Sequence, residues 1–574
     1  MRVRSCVTEH IQEQNEEVVL DAQEAAEEIH RLEQQRRENR EGVRALGFNP
    51  YGFRVDGLKT LAQAHDAYDE GADNANKEST QAHKQAKRDN PDLPDADLPQ
   101  IVDTRPVVRV AGRVVLSRDN GKLVWLNLRD HTNDSFQIAI SKRDCDENGF
   151  ALAKLLDNGD IVIAQGPLTK TKTGEVTCWA SSLEPASKCL VPPPEKRLGL
   201  QDPDMRYRQR YVDMWSNPDT TRTLMLRSKL MSAMRRYLER HEFVEVETPV
   251  LQTQAGGAAA RPFFTHMNAL HLDLSLRIAP ELYLKRLLVG GMPRVFEVSR
   301  NFRNEGLDKS HNPEFTSLEV YQAFGNYETM MDLTEGLIRE LAQIAAGEQG
   351  ISASAMPFGD LLIDYERAFD KMTYAELFEK VLGFSMGDMD KVRAACEARG
   401  FKTKSEDGTP IADIFLVNEL FEEVAEPTID PARPTFVLDY PASLSPLTRP
   451  KPGTEQDPVP LADRWDLFIG GMEIGPAYTE LNDPDIQAQK FREQLSGVDD
   501  EESTFRSFDE DFVNALKVGM PPAGGLGLGM DRIVMLLGNQ RTIRDVLPFP
   551  MMRPLGGAGS APEESDSEKR DEAE

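Results

Sequence analysis

Between Pro106 and about residue 183 the chain reads as five short strands in quick succession, VVRVAGRVVL, LVWLNLRD, SFQIAIS, DIVIAQGPL and EVTCWASSL. Several of them alternate apolar and polar residues, the signature of a strand with one buried face, and Gly or Asp-Asn-Gly turns separate them. Five strands within about 80 residues favour a small barrel, with the oligonucleotide-binding OB fold as the leading candidate. The proline run VPPPEKR closes the region, which sets this domain at residues 105–192.

The remainder of the 574 residues does not continue that texture, so several domains are expected. Residues 1–60 form a helical extension. Ile11, Val18, Ile29 and Leu32 fit one face of a helix that Gly47 and Pro50 stop. Such a helix either packs one side on the body or touches RNA. Residues 61–104 are polar, Ala-rich and charged, and read as a partly helical, mobile insertion or linker. From 205 to 555 helices and strands mix, with apolar strands such as PRVFEVSRNFR and a helical insertion at about 365–425. Residues 556–574 are an acidic tail expected to be disordered. The fold class is α+β.

Charge and cysteine usage narrow the setting. Ninety-six acidic residues against 67 basic leave a net charge of −29, which repels a polyanion non-specifically. Any RNA-binding surface must therefore gather its Lys and Arg locally. Cys6, Cys145, Cys178, Cys189 and Cys396 form no CxxC pair, and an odd, scattered set suits reduced thiols in a cytoplasm. No apolar run approaches the roughly 18 residues of a membrane span. The N-terminus lacks the apolar core of a signal peptide. A cytoplasmic chain with no membrane partner is expected.

Three blocks of the larger region carry chemistry: FVEVETPVLQTQAGGAAARPF (243–263), LRIAPELYLKRLLVGGMPRVFEVSRNFRNEGLDKSHNPEFTSLEVYQAF (276–324) and GGLGLGMDRIVMLL (524–537). Arg303 ends an apolar strand and opens the loop FRNEG, where a guanidinium fork can hold two phosphate oxygens. An ordinary surface ion pair is the alternative. The third block lacks the layout of a Rossmann loop. It reads instead as a glycine-lined strand on which a flat ligand can lie, with Arg532 opening the next helix to stack over a purine. Walker and kinase motifs are missing. Asp466 and Glu473 lie seven residues apart across a Gly-Gly turn. A hairpin there would aim both carboxylates at one point, a hard-oxygen pair suited to Mg²⁺ beside polyphosphate, or else leave two acids facing solvent.

These blocks, together with RYRQRYVDM (206–214) and FIGGMEIGPAYTELNDP (468–484), resemble the class II lysyl-tRNA synthetases from about residue 105 to 555, in the same order. HxGH and KMSKS, the marks of the other synthetase class, are lacking. The resemblance implies an N-terminal OB-fold barrel that reads the anticodon, and a class II catalytic domain with a six-stranded antiparallel sheet flanked by helices. It also implies a homodimer with the segment around Pro249 at the subunit interface. The expected substrates are ATP, L-lysine and tRNA(Lys), with lysyl-adenylate as intermediate and Mg²⁺ as cofactor.

By position, Arg303 matches the arginine on the α-phosphate, with Glu305 and His311 flanking the nucleotide. Phe315 and Arg532 match the two groups that sandwich adenine, and Asp466 and Glu473 the Mg²⁺ carboxylates. Gly257, Glu281, Glu319, Tyr321, Tyr478 and Glu480 match the lysine pocket. Trp125, Gln137 and Glu175 match residues that stack on or read anticodon bases. Two or three acids around one buried ammonium are what a lysine side chain requires. Aspartyl and asparaginyl ligases usually carry Gln in place of Glu281. The chain departs from the family pattern at Pro476, where Asn is general, and at Asp466, where Glu is common.

Overall fold

A computed structural model describes residues 29–192, 200–258, 260–405, 408–496 and 508–554. The expected tail at 556–574, and the part of the N-terminal helix before residue 29, lie outside the described residues. Two compact units divide the chain, Met1–Thr221 and Arg222–Glu574.

In the first unit, β1 (Val107–Asp119), β2 (Leu123–Arg129), β3 (Phe136–Ser141), β4 (Ile161–Lys170) and β5 (Val176–Ala180) form the barrel. β1 pairs with β2 and, on its other edge, with β4. β2–β3, the parallel pair β3–β5, and β5–β4 complete the ring. β6 (Ser182–Ser187) continues along β4 beyond β5. Alternation drives the closure: Val124, Leu126 and Leu128 of β2 are buried in the core, whereas Trp125 and Asn127 face outward. A helix over residues 29–45 docks on the barrel through the buried Arg36, which donates to the carbonyls of Asn158 (3.0 Å) and Cys189 (2.9 Å).

Residues 61–104 do not run as a free linker. They carry helices Leu61–Asp66 and Glu70–Asp89, and Asp73 pins the second of these to the barrel. Its fully buried carboxylate accepts from the Thr169 hydroxyl (2.6 Å), the Lys170 N–H (2.9 Å), the Tyr68 hydroxyl (2.9 Å) and Lys77 (2.8 Å). Composition registers the charges of this segment but not that one of them is buried.

The second unit is built on an eight-stranded sheet of β7 (Val244–Glu245), β8 (Arg294–Phe302), β9 (Glu314–Ala323), β10 (Asp370–Thr373), β11 (Thr435–Leu438), β12 (Arg464–Ile469), β13 (Met472–Thr479) and β14 (Ala523–Gly529). Its order is β10-β11-β12-β13-β14-β9-β8-β7. The inner six strands are antiparallel, as the resemblance implies. A short parallel strand flanks them at each edge, β10 on β11 and β7 on β8.

The long helices α1 (Pro218–Arg240) and α3 (Tyr327–Gln349) cover one face of this sheet. Leu230, Met234 and Leu238 of α1 and Leu337 and Leu341 of α3 meet Phe296, Leu318, Val320, Leu526 and Leu528 of the strands. Asn326 and Thr329 form a capping box at the start of α3, and Gly350 ends it in the left-handed conformation. α2 (Glu281–Val289) and α4 (Met530–Leu537) complete the frame of the site. Residues 374–421 bring helices with a core of their own, in which Tyr374 stacks on Phe421 at 3.7 Å. No helix among the described residues is long and apolar enough to cross a membrane.

Candidate active site

Strand periodicity puts the chemistry on the sheet face opposite the apolar core. Along β9, Leu318 and Val320 enter that core, so Ser317, Glu319 and Tyr321 point the other way. On β14, Leu526 and Leu528 do the same and leave Gly525, Gly527 and Gly529 facing the polar side. A cavity of about 1130 Å³ opens there. Gly257, Glu281, Arg303, Glu305, His311, Phe315, Glu319, Tyr321, Glu473, Tyr478 and Arg532 all line it.

One end of the cavity is cationic. Arg303 follows β8, and its N–H donates to the Pro313 carbonyl (2.8 Å). Its guanidinium lies 5.1 Å over the Phe315 ring, and its buried Nε has no hydrogen-bond partner. Arg532, in the first turn of α4, donates to the Glu473 carbonyl (2.5 Å) and, through Nη2, to His311 Nε2 (3.0 Å). A guanidinium only donates, so His311 Nε2 must accept. The ring proton therefore sits on Nδ1 and is given to Asp308 Oδ2 at 2.7 Å. Asp531 braces this end, taking the Thr316 N–H (2.8 Å) and pairing with Arg227 (2.5 Å). Glu305 is exposed at the cavity mouth.

A second group of side chains is acidic and buried. Glu281 opens α2, Glu319 lies on β9, and Glu480 follows β13 with no exposure. Burial first, and then the charge of Glu281, push Glu319 up to about 8, although it accepts from the Tyr321 hydroxyl (3.3 Å). Burial and the same carboxylates hold the Tyr321 phenol well above its usual range. Gly257 has φ +88°, and a Cβ there would come within 3.1 Å of Glu281 Cβ. Gly525 leaves its side-chain space to Glu480 and Tyr321. That glycine serves the packing of protein groups, where the sequence suggested a seat for a flat ligand.

The expected carboxylate pair is arranged differently from a simple hairpin juxtaposition. A register shift lies between Leu467 and Phe468, so Asp466 faces Pro476 across the ladder and Glu473 faces Phe468. Both Asp466 oxygens are held by the Arg464 fork (2.8 and 2.7 Å). Glu473 opens to the cavity, and the surrounding protein together with the charge of Asp466 raises its pKa. Glu426, from the helical insertion, is pushed up to about 7 by burial and then by the charge of Glu473. Burial and then the charge of Asp466 disfavour the ionised form of Glu473, and a hard cation sharing its shell with phosphate would relieve both. Asp466 and Pro476, the two positions expected from sequence to depart from the family pattern, are cross-strand partners.

The three base-reading candidates lie on the barrel. Trp125 is on its outer face rather than in its core. Register aligns Trp125, Ala139 and Trp179 across β2, β3 and β5, with the two indoles edge-to-face at 6.1 Å. The next row is Asn127, Gln137 and Thr177, where the Gln137 carbonyl oxygen accepts from the Thr177 hydroxyl (2.9 Å). Glu175 sits beyond, in the turn before β5, its N–H on the Thr171 hydroxyl (3.0 Å). Sequence reasoning missed Trp179, Arg464 and Lys285. The i, i+4 spacing of Glu281 and Lys285, and the period-2 spacing of Thr177 and Trp179, were the available signals.

Fold and site together define a class II synthetase. Residues 202–553 match the family model of class II tRNA synthetases (D, K and N), and residues 108–186 match that of the OB-fold nucleic acid binding domain. A lysine–tRNA ligase of Carboxydothermus hydrogenoformans is 40% identical over 92% of this chain and 99% of its own length. Lysine–tRNA ligases of Escherichia coli K12 and of an Enterobacter species are each 45% identical over 78% of this chain and 86% of their own. The chain belongs to the lysine–tRNA ligase family.

Proposed function

We propose that this chain ligates L-lysine to tRNA(Lys) at the expense of ATP, by way of lysyl-adenylate, with release of pyrophosphate and AMP. The observation that carries the reading is one cavity lined both by Arg303 and Arg532 and by the buried acids Glu281 and Glu319, with Glu480 fully buried and joined to Glu281 through Lys285.

Arg303 binds the α-phosphate with its free guanidinium donors, while Phe315 and Arg532 enclose adenine and His311 fixes Arg532. Glu305 borders the nucleotide at the cavity mouth. The lysine ammonium lies among Glu281, Glu319, Glu480 and the hydroxyls of Tyr321 and Tyr478, and Gly257 admits the α-amino end. A neutral side chain would leave buried acids unpaired, a penalty of roughly several kcal/mol. A lysine carboxylate oxygen attacks the α-phosphorus, and the bond to pyrophosphate breaks in line. Arg303 stabilises the charge that builds on the phosphate oxygens, so the chain acts by positioning and electrostatics. Glu473 and Asp466 would hold Mg²⁺, which would supply further neutralisation of phosphate charge. The 3′-hydroxyl of the terminal adenosine of the tRNA then attacks the acyl carbon, and the mixed anhydride bond to AMP breaks. On the barrel, Trp125 stacks an anticodon base while Gln137 and Glu175 read polar edges.

We place the enzyme in the cytoplasm as a homodimer. The four described cysteines are free. Val250, Leu251, Phe264 and Leu270, around and beyond Pro249, are exposed apolar residues that a second subunit would cover.

The test is ATP–pyrophosphate exchange with each of the twenty amino acids singly. Exchange with lysine alone is expected. Exchange with a different amino acid, or none at all from folded protein, overturns the reading.

A further inference from the structure

The lysine pocket already contains a lysine. Lys285 lies one turn along α2 from Glu281 and has no exposure. Its ammonium bonds Glu281 Oε1 at 2.7 Å and pairs with Glu480 Oε2, with the Phe512 ring 6.0 Å away. Complete burial works to lower its pKa, but Glu281 and Glu480 outweigh that and hold it above its ordinary value. Glu480 Oε1 is buried with no hydrogen-bond partner even with Lys285 in place, and burial holds the Glu480 carboxyl up at about 8. Glu281 lines the cavity, whereas Lys285 and Glu480 lie behind it.

We propose that Lys285 is a positioning and specificity residue that sets the charge of the amino-acid pocket. Its ammonium permanently balances one member of the Glu281–Glu480 pair and leaves the pocket one further cation to accept, that of the substrate. This rests on the reading of Glu281 and Glu480 as lysine-binding acids. The charge count makes an unusual demand: one and the same substitution must act in opposite directions in two backgrounds. In the native chain, Lys285→Met leaves two buried carboxylates against one ammonium. One of them takes up a proton or stays unpaired, and lysine binding suffers. In Glu480→Gln, Lys285 claims Glu281, and the substrate ammonium faces a like charge. Removing Lys285 from that variant frees Glu281 and restores a place for the substrate.

The experiment is a double-mutant cycle of Glu480→Gln and Lys285→Met, read by lysine KM and kcat in ATP–pyrophosphate exchange, with ATP-induced thermal stabilisation as the fold control. E480Q is expected to raise lysine KM by roughly a hundredfold or more, because a buried ion pair loses one partner. The double variant is expected to regain about tenfold, the scale of one charge-assisted contact. K285M alone should raise lysine KM while leaving the ATP response intact. If K285M fails to fold, the double variant carries the test, since it leaves one carboxylate, Glu281 at the cavity, without a partner where K285M leaves two. Lys285→Gln in the E480Q background repeats the test with length preserved. A double variant no better than E480Q, with ATP binding intact, overturns the proposal. An E480Q enzyme with native lysine KM overturns instead the pocket assignment on which it rests.

Discussion

Replacing Gly525 by alanine adds a single methyl group against the buried Glu480 and Tyr321. Built on the native backbone, that carbon lies 2.0 Å from Glu480 Oε1 and 2.5 Å from Tyr321 Cε1. Ordinary contact begins at 3.4 Å, so the carboxylate must retreat by about 1.4 Å and the ring by about 0.9 Å. Neither has room: Glu480 is fully buried against Lys285, and Tyr321 is 3% exposed. Gly525 does not occupy the left-handed region, so the effect is one of contact rather than backbone strain. Overpacking of this kind costs about 1–3 kcal/mol of stability. A displacement near 1 Å of groups that hold a substrate costs on the order of a hundredfold in rate. The expected outcome is a drop of that size in kcat/KM for lysine, a nearly native KM for ATP, and a thermal midpoint lower by a few degrees. Exchange kinetics at varied lysine and at varied ATP, with thermal melts, make the measurement. Gly527→Ala is the stability control, because its Cβ would sit 3.8 Å from Glu319. A G525A enzyme with native lysine KM and native midpoint would refute the packing argument.

Four other outcomes follow from the same structure. Trp179→Ala should raise the KM for tRNA in aminoacylation by at least several-fold, on the scale of roughly 1–3 kcal/mol for a lost stacking ring, while exchange kinetics stay native; an unchanged tRNA KM would exclude the second indole from the RNA surface. Glu319, raised to about 8, holds its proton at neutral pH, and its stabilising contribution is complete below the ordinary 4.5 and lost as pH rises through 8. An ammonium placed beside it favours the ionised form, so lysine binding near pH 7 should release protons and tighten from pH 6 to 8. Calorimetry in buffers of different ionisation enthalpy detects this, and buffer-independent heats would count against it. Glu473→Gln should raise the Mg²⁺ needed for half-maximal exchange by about tenfold or more, with an unchanged Mg²⁺ titration as the contrary result. Asp73→Ala strips four donors of their buried acceptor and should cost roughly 3 kcal/mol, visible as faster proteolysis within residues 70–104 while lysine-dependent exchange continues.

The barrel, the placement of Arg303 at a strand end, and the helix opened by Asp531 and Arg532 were legible in the chain itself. Each rests on local information: period-2 alternation, turn residues, and a glycine strand running into an apolar helix. Tertiary structure decided the rest, because burial and cross-strand register have no local signature. Asp73 reads as one more charge in a polar segment until the barrel closes over it. Asp466 and Pro476 are ten residues apart in the chain and directly opposed in the sheet only because a register shift intervenes. Lys285 lies four residues beyond Glu281 in an unremarkable helical spacing, yet Glu480, 195 positions further on, makes it the centre of a buried ion-pair cluster. The sequence determined which groups the chain carries and which secondary structure presents them. Only packing decided which charges lose their water, and that loss gives a carboxylate or an ammonium its chemistry.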